Sequence, residues 1–214
     1  MEKVDNFYEK FNGSYFVFVG IGISLLTKLI AVILFMHVDP SFNLFSNYIS
    51  DLGHGPNNSD IVYKSGVVIS TIFYDFFFLY LMRFLEKRGG NQILALISLL
   101  TGLIASVGAI LVVVFTADVE PELHRLGATL FFFGNFFVLI LFGITEYLIK
   151  EIPRKLSISG FILAPLSFLF LSFYFLLSIY PDFSRELTIF TEWLAFFGII
   201  AWLCAQGIYT IKAK

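Results

Sequence analysis

The chain has 214 residues and a net charge of −2 at pH 7; 58% of its residues are hydrophobic and 14% are charged. Soluble globular domains have about 45–50% apolar and about 25% charged residues, so this composition excludes an ordinary soluble domain and indicates a membrane protein. The absence of a long basic run excludes a nucleic-acid partner, and the single cysteine, Cys204, excludes an internal disulfide or a thiolate metal cluster. Little sequence lies outside the apolar runs, so we expect one transmembrane domain over residues 1–214.

Six apolar runs are long enough to cross the hydrocarbon core of a bilayer, which takes roughly 20 helical residues. In chain order they cover residues 15–36, 65–82, 93–115, 126–148, 158–180 and 187–211. The runs are too long for membrane strands and lack the alternation that such strands show. The sequence therefore predicts an all-α fold, a bundle of six transmembrane helices in a multi-pass protein of the cell membrane.

Positive charges are unevenly divided between the two ends of this predicted bundle. Ten of the 14 lysines and arginines fall at the end that holds both termini, three fall at the other end, and Lys28 lies inside a span. Cytoplasmic loops carry an excess of lysine and arginine, so we expect both termini to be cytoplasmic. The opposite, outer end collects eight of the 16 acidic residues and all three histidines, which makes it the expected place for any chemistry.

The first and second spans each contain one charged residue, Lys28 and Asp75. At 1.5 Å per residue, Lys28 lies roughly 12 Å and Asp75 roughly 15 Å below the outer end of its span. A single charge at such a depth costs about 2.5–3.5 kcal/mol on insertion scales, so we expect the two to pair, with Asn135 completing a buried polar network. The pair is interpreted either as a structural link between two helices or as part of a route for a substrate or proton.

The first outer loop, residues 37–64, is rich in aromatic and aliphatic side chains. We expect it to lie on the outer interface or to fold over the mouth of the bundle as a short helix. Within it, Asp51 and His54 are three residues apart and share one face if the segment is helical. Ser50 is a further candidate, as a nucleophile, although a serine beside an aspartate is also typical of a turn or a helix cap.

The third span carries Ser98, Gly102 and Ser106 at four-residue spacing. Helices in lipid approach one another closely through small residues, because no hydrophobic force drives them together. This pattern predicts that the third span is the central helix of the bundle, with its outer end beneath the first outer loop.

Asp118 and His124 lie between the third and fourth spans, beside two glutamates. A central third span would bring Asp51 and His54 toward this loop. The four side chains could then act as general acids and bases, or hold a divalent metal such as zinc through nitrogen and oxygen ligands. The alternative is that the acidic outer loops are simply solvated and that each histidine caps a helix.

Two short motifs resemble those of a prokaryotic family of membrane proteins, the domain of unknown function 998 family. Residues 48–53, followed by Pro56, resemble its serine-acid-x-glycine signature after the first helix, and Asp118 with His124 matches the aspartate and histidine after its third. Ala117 departs from the phenylalanine–proline pair that is common before that aspartate. The first motif is also similar, more distantly, to one in the lipid-associated Frag/DRAM/Sfk group. The resemblance implies a six-helix bundle and a lipid-facing, outward site.

The resulting hypothesis is a protein that binds or remodels a lipid headgroup at the outer leaflet, with membrane lipids as its partners. Whether it is an enzyme, such as a metal-assisted lipid hydrolase, is left open. The alternatives are a small transporter or channel that uses the Lys28/Asp75 pair, and a non-catalytic scaffold that organises lipids. Without a histidine inside a span or a phosphate-binding motif, haem and nucleotide cofactors are excluded.

Overall fold

The computed structural model describes residues 2–213, which form seven α-helices and one short 3₁₀ helix. The α-helices are α1 Glu2–Lys10, α2 Ser14–Met36, α3 Ser59–Glu86, α4 Gln92–Val114, α5 Pro121–Leu148, α6 Arg154–Ile179 and α7 Arg185–Lys212. The 3₁₀ helix, Ile49–His54, is called the cap below. Helices α2 to α7 are each long and apolar enough to cross a membrane, which confirms the six predicted spans.

Each of these six helices packs against its neighbour in sequence, and α7 returns to pack against α2. The even number of spans brings both termini to the same end of the bundle. That end, with α1 and the loops at residues 87–91 and 149–153, is the terminal end. The other end, with the cap and the loops at residues 115–120 and 180–184, is the capped end.

Close contact between α4 and α5 depends on glycine. A Cβ atom added at Gly108 would lie 2.7 Å from the carbonyl oxygen of Gly127, and one added at Gly134 would lie 2.8 Å from the Cβ of Ala105. Residues without a side chain at these points let the two backbones approach directly. The predicted interior face of the third span is confirmed, since Ser98, Gly102 and Ser106 are all buried.

The prediction that the third span is the central helix is wrong. Among the six spans, α7 is the most buried, whereas α4 packs chiefly on α3 and α5. Small residues indicate how closely a helix approaches its neighbours, and a helix at the side of a bundle can have two close neighbours. Burial of α7 comes instead from its contacts with α2, α5 and α6 together.

Helix α1, which the apolar pattern did not predict, is fastened to the terminal end of α3. The Asp5 carboxylate accepts hydrogen bonds from Arg83 Nε at 3.0 Å and Nη2 at 2.8 Å. This guanidinium lowers the pKa of Asp5. The Tyr8 hydroxyl also donates to the carbonyl oxygen of Phe76 at 2.6 Å, so a short amphipathic segment is held against the bundle.

The cap covers the mouth of the bundle at the capped end, as predicted for the apolar first loop. Leu52 and Gly53 are buried, and the cap packs on α2, α3 and α4. The Asp51 carboxylate accepts a hydrogen bond from the Tyr48 backbone N–H at 2.9 Å, which closes the start of the cap. Helix α7 holds the preceding loop, because Trp193 Nε1 donates to the carbonyl oxygen of Asn47 at 3.0 Å.

Candidate functional site

A cavity of about 100 Å³ lies inside the bundle beneath the cap. It is lined by α2, α3, α4, α5, α7 and the first two residues of the cap, and its deepest lining residue on α4 is Gly102. Twelve residues separate Gly102 from the capped end of α4, so the cavity reaches about 18 Å into the bundle. Most lining side chains are apolar; the polar ones are Ser24, Lys28, Ser50, Tyr63, Ser70, Thr71, Tyr74, Ser106, His124, Asn135 and Glu192.

Glu192 of α7 joins the cavity to the cap. Its carboxylate is buried and accepts a hydrogen bond from the Ile49 backbone N–H at 2.6 Å. The Ser50 backbone N–H lies close to the same carboxylate and acts on it more weakly. The first N–H groups of a helix have no partner within it, and a carboxylate is the acceptor best suited to them. Glu192, on the last helix, thus holds the cap, which follows the first membrane-spanning helix, over the cavity.

Lys28 of α2 is the cation of this cavity. Its ammonium donates to Ser24 Oγ at 3.0 Å and lies 5.4 Å from the Tyr63 ring centre and 4.7 Å from the Phe196 ring centre. Aromatic faces attract a desolvated cation in this geometry. Glu192 supplies the negative charge that acts on Lys28, although the two charged groups are more than 4.0 Å apart.

The predicted ion pair between Lys28 and Asp75 is not formed. Asp75 is only partly buried and accepts a hydrogen bond from Ser106 Oγ of α4 at 2.5 Å. The register of the two helices explains the separation, because Gly66 packs on Thr27 whereas Gly20 packs on Tyr74. Asp75 is therefore level with the region of Gly20, about two turns deeper than Lys28, or roughly 12 Å.

Asn135, the third member of the predicted network, lines the cavity without bonding to either charge. Its Nδ2 donates to the carbonyl oxygen of Phe131 at 2.8 Å, one turn earlier in α5. The predicted network is thus divided. Lys28 and Asn135 both line the cavity, while Asp75 reaches it only through Ser106.

His124 is buried at the capped end of α5, and its ring orientation follows from its neighbours. Nδ1 lies 3.0 Å from the carbonyl oxygen of Phe115 and 3.2 Å from that of Val112. Both neighbours only accept hydrogen bonds, so Nδ1 carries the proton and Nε2 remains as the acceptor of the neutral ring. His124 and Ser50 both line the cavity.

The other three predicted site residues lie above the cavity. His54 and Asp118 are exposed, and His54 Nδ1 lies 3.8 Å from an oxygen of Asp118. A hydrogen bond from the Thr116 side chain lowers the pKa of Asp118. Burial raises the pKa of Asp51, against the opposing effects of its hydrogen bond from Tyr48 and of nearby cationic groups. The first outer loop and the loop after α4 therefore meet, as the sequence predicts.

The structure does not gather these residues into a metal centre. Across residues 2–213, no three histidine, cysteine, aspartate or glutamate side chains are close enough together to hold a metal ion. Asp51 closes the start of the cap, and His124 Nδ1 faces carbonyl oxygens. The chemistry of these donors does not fit zinc, which takes three or four nitrogen, sulfur or oxygen ligands at one point.

Sequence reasoning places Glu192 near the outer end of the sixth span but does not identify its partners, the cap and Lys28. A usable signal was present: Glu192 is seven residues into α7, about 10 Å below the capped end, and Lys28 lies about 12 Å below the end of α2. Opposite charges at matching depths on the first and last spans predict an interaction only if those two spans are neighbours in the bundle. The contact between α2 and α7 supplies that missing condition.

Comparison with known proteins gives one positive result. No curated protein and no solved structure matches the chain. The model of the family described as "Protein of unknown function (DUF998)" matches residues 23–209. This region contains most of the six membrane-spanning helices, the cap and every residue that lines the cavity. The chain therefore belongs to the DUF998 family of membrane proteins.

Proposed function

We propose that this protein binds a lipid of the surrounding membrane, with a polar part of the lipid beneath the cap and an acyl chain along the apolar wall below. The observation that carries the proposal is the distribution of charge in the cavity. Lys28 and Glu192 lie near the capped end with Ser50 and His124, whereas the deeper wall is uncharged and combines phenylalanine, isoleucine, leucine and alanine with hydroxyl and amide side chains such as those of Ser70, Thr71, Ser106 and Asn135. Ligand sites in proteins commonly combine apolar walls with a few placed polar groups.

The charges in the cavity favour one kind of polar group. Lys28 can donate hydrogen bonds to a ligand, but the nearby carboxylate of Glu192 offsets its charge. His124 Nε2 and the Asn135 carbonyl can accept from a hydroxyl. An uncharged ester or hydroxyl group, or a zwitterionic headgroup, suits this arrangement better than a multiply charged anion. At about 30 Å³ for each water molecule, a cavity of 100 Å³ holds about three, which is the scale of one such polar group.

Lipid remodelling is the second candidate, and it draws on the two residues that could carry out acyl chemistry. Ser50 and His124 both line the cavity, and the ring nitrogen Nε2 of His124 is the one available as a base. A hydroxyl nucleophile and an imidazole beside a bound ester would support hydrolysis or acyl transfer. The transporter alternative is supported less well, because it was drawn from a Lys28/Asp75 pair and these two residues are not paired.

Binding can be tested by native mass spectrometry of the purified protein with lipids that differ only in headgroup. We expect a retained lipid with an uncharged or zwitterionic headgroup, and at least tenfold weaker retention in Lys28→Gln. Lys64→Gln is the matched control, since it removes a lysine that is partly exposed at the same end and pairs with Asp60. Equal lipid retention in Lys28→Gln and Lys64→Gln would refute the proposal.

A further inference from the structure

A second group of buried polar side chains lies near the terminal end, apart from the cavity. Glu146 of α5, Ser157 of α6, and Trp202 and Gln206 of α7 all have no exposed surface. None of the four lines the cavity beneath the cap. Glu146 lies two residues before the end of α5 and Ser157 three residues into α6, so the group sits about one turn inside the bundle.

The polar atoms of this group lack hydrogen-bond partners. Both carboxylate oxygens of Glu146, both amide atoms of Gln206, Trp202 Nε1 and Ser157 Oγ are buried without one. Burying so many unpaired polar atoms is strongly unfavourable in a protein interior and more so within a bilayer. The heavy atoms of the protein alone therefore do not satisfy the hydrogen-bonding groups of this cluster, which indicates that it binds a further small species.

Three helices converge on this point through glycine. A Cβ atom added at Gly160 of α6 would lie 2.5 Å from the carbonyl oxygen of Leu139 on α5 and 3.4 Å from Trp202 Nε1 on α7. One added at Gly143 would lie 3.1 Å from the Ser157 carbonyl oxygen. The Gln206 amide lies near the Glu146 carboxyl and acts on it, although no hydrogen bond joins the two side chains. The close packing leaves room for a very small ligand only.

No cation neutralises Glu146 among residues 2–213, since it takes part in no ion pair. The titratable group that faces it from α7 is Tyr209. Arg88 and Glu151 also act on Tyr209. Arg88 donates a hydrogen bond to the Ala213 carbonyl oxygen at 2.5 Å and lies over the Phe84 ring. Helix α6 presents the uncharged Ser157, whose carbonyl oxygen packs on Gly143 of α5.

We propose that Glu146 is a proton-binding site at the terminal end of the bundle. A proton taken from water forms an O–H bond on one carboxyl oxygen, and this hydroxyl donates to the Gln206 carbonyl oxygen. The second carboxyl oxygen then accepts from Trp202 Nε1 or Gln206 Nε2. One proton thereby both removes the buried charge and lets donors and acceptors of the cluster satisfy one another. Release of that proton places a charge where α5, α6 and α7 meet.

The test is infrared spectroscopy of the full chain in lipid bilayers over a range of pH. A protonated carboxyl group shows a carbonyl stretch distinct from that of carboxylates, and we expect such a band in the natural protein at pH 7. It should disappear in Glu146→Gln and persist in Glu151→Gln, a matched change at an exposed glutamate of the same end. Because glutamine mimics the neutral acid, Glu146→Gln should also fold with unchanged thermal stability.

Three results would overturn the proposal. The first is a natural protein without a carboxyl band assignable to Glu146 at pH 7. The second is failure of Glu146→Gln to fold, since a neutral mimic cannot be harmful where the acid is already neutral. The third is loss of the band on adding sodium chloride at constant pH, with potassium chloride as control, which would identify an alkali cation instead of a proton as the ligand.

Discussion

The Glu192 carboxylate accepts a hydrogen bond from the Ile49 backbone N–H at 2.6 Å, although 143 residues separate the two. The last membrane-spanning helix thus fixes the loop that follows the first one. Trp193 strengthens this connection through its bond to the Asn47 carbonyl. Access to the cavity from the capped end therefore depends on α7, and anything that changes the charge of Glu192 acts on the cap and on Lys28 together.

Replacement of Glu192 by glutamine should loosen the cap. The amide oxygen can still accept a hydrogen bond from the Ile49 N–H, but that bond is no longer charge-assisted, at a cost of about 1–3 kcal/mol. Hydrogen exchange of the amides at residues 49–54 should become roughly tenfold faster or more. Glu186→Gln, at an exposed position in the first turn of α7, should leave that exchange unchanged. Equal protection in both variants would show that Glu192 does not hold the cap.

Double-mutant cycles should distinguish the partner of Lys28. We expect a coupling energy of about 1 kcal/mol between Lys28→Met and Glu192→Gln, because the two substitutions remove charges that attract each other. Lys28→Met and Asp75→Asn should be additive within about 0.5 kcal/mol, since roughly 12 Å along the helices separates them. The free energies come from denaturant or thermal unfolding in detergent. Strong coupling to Asp75 would contradict the register of α2 and α3.

The six spans could be predicted because a bilayer imposes a length and a polarity on every crossing segment. The cap could be predicted as well, because an apolar loop such as that around Leu52 buries its side chains against the bundle or the membrane interface and not in water. The partner of Lys28 could not be predicted. The ends of the apolar runs give only an approximate depth for Lys28 and Asp75. The register of α2 against α3 depends instead on contacts such as that of Gly66 with Thr27.

The site was predicted only in part for a related reason. The loops that carry His54 and Asp118 do meet, but Ser50 and His124 face the cavity while those two residues remain at the surface. A sequence does not reveal which ring nitrogen or carboxylate oxygen is already used by backbone groups. The environment of Glu146 could not be predicted, because its neighbours come from three different helices whose packing the sequence does not reveal.

The stability of the cap should depend on pH through Asp51. Burial raises the pKa of Asp51 above its ordinary value of 3.8, so the folded cap favours the protonated form. Its contribution to stability is full below pH 3.8 and is lost as the pH rises through the raised pKa. Asp51→Asn should remove this component, which amide exchange at residues 49–54 measured against pH will show. An unchanged pH profile in the variant would assign the dependence to another group.

Two glycines offer a matched test of helix packing. An added Cβ at Gly108 would collide with the backbone of Gly127 and Phe131 on α5, so Gly108→Ala should destabilise the bundle by about 1–3 kcal/mol. At Gly22 of α2 nothing lies within 4 Å of such an atom, and alanine there should stabilise by about 0.5–1 kcal/mol. Thermal unfolding in detergent measures both. Equal effects would mean that α4 and α5 are not in direct backbone contact.

The orientation of the bundle in the membrane follows from charge and can be tested on intact cells. The terminal end carries ten of the 14 lysines and arginines, which predicts that it is cytoplasmic. In a Cys204→Ala background, the exposed positions Lys87 and Lys150 replaced by cysteine should resist an impermeant maleimide until the membrane is permeabilised. Ser46→Cys and Asp182→Cys, exposed at the capped end, should react at once. The reverse pattern would place the cap and its cavity in the cytoplasmic leaflet, and the proposed lipid would then come from that leaflet.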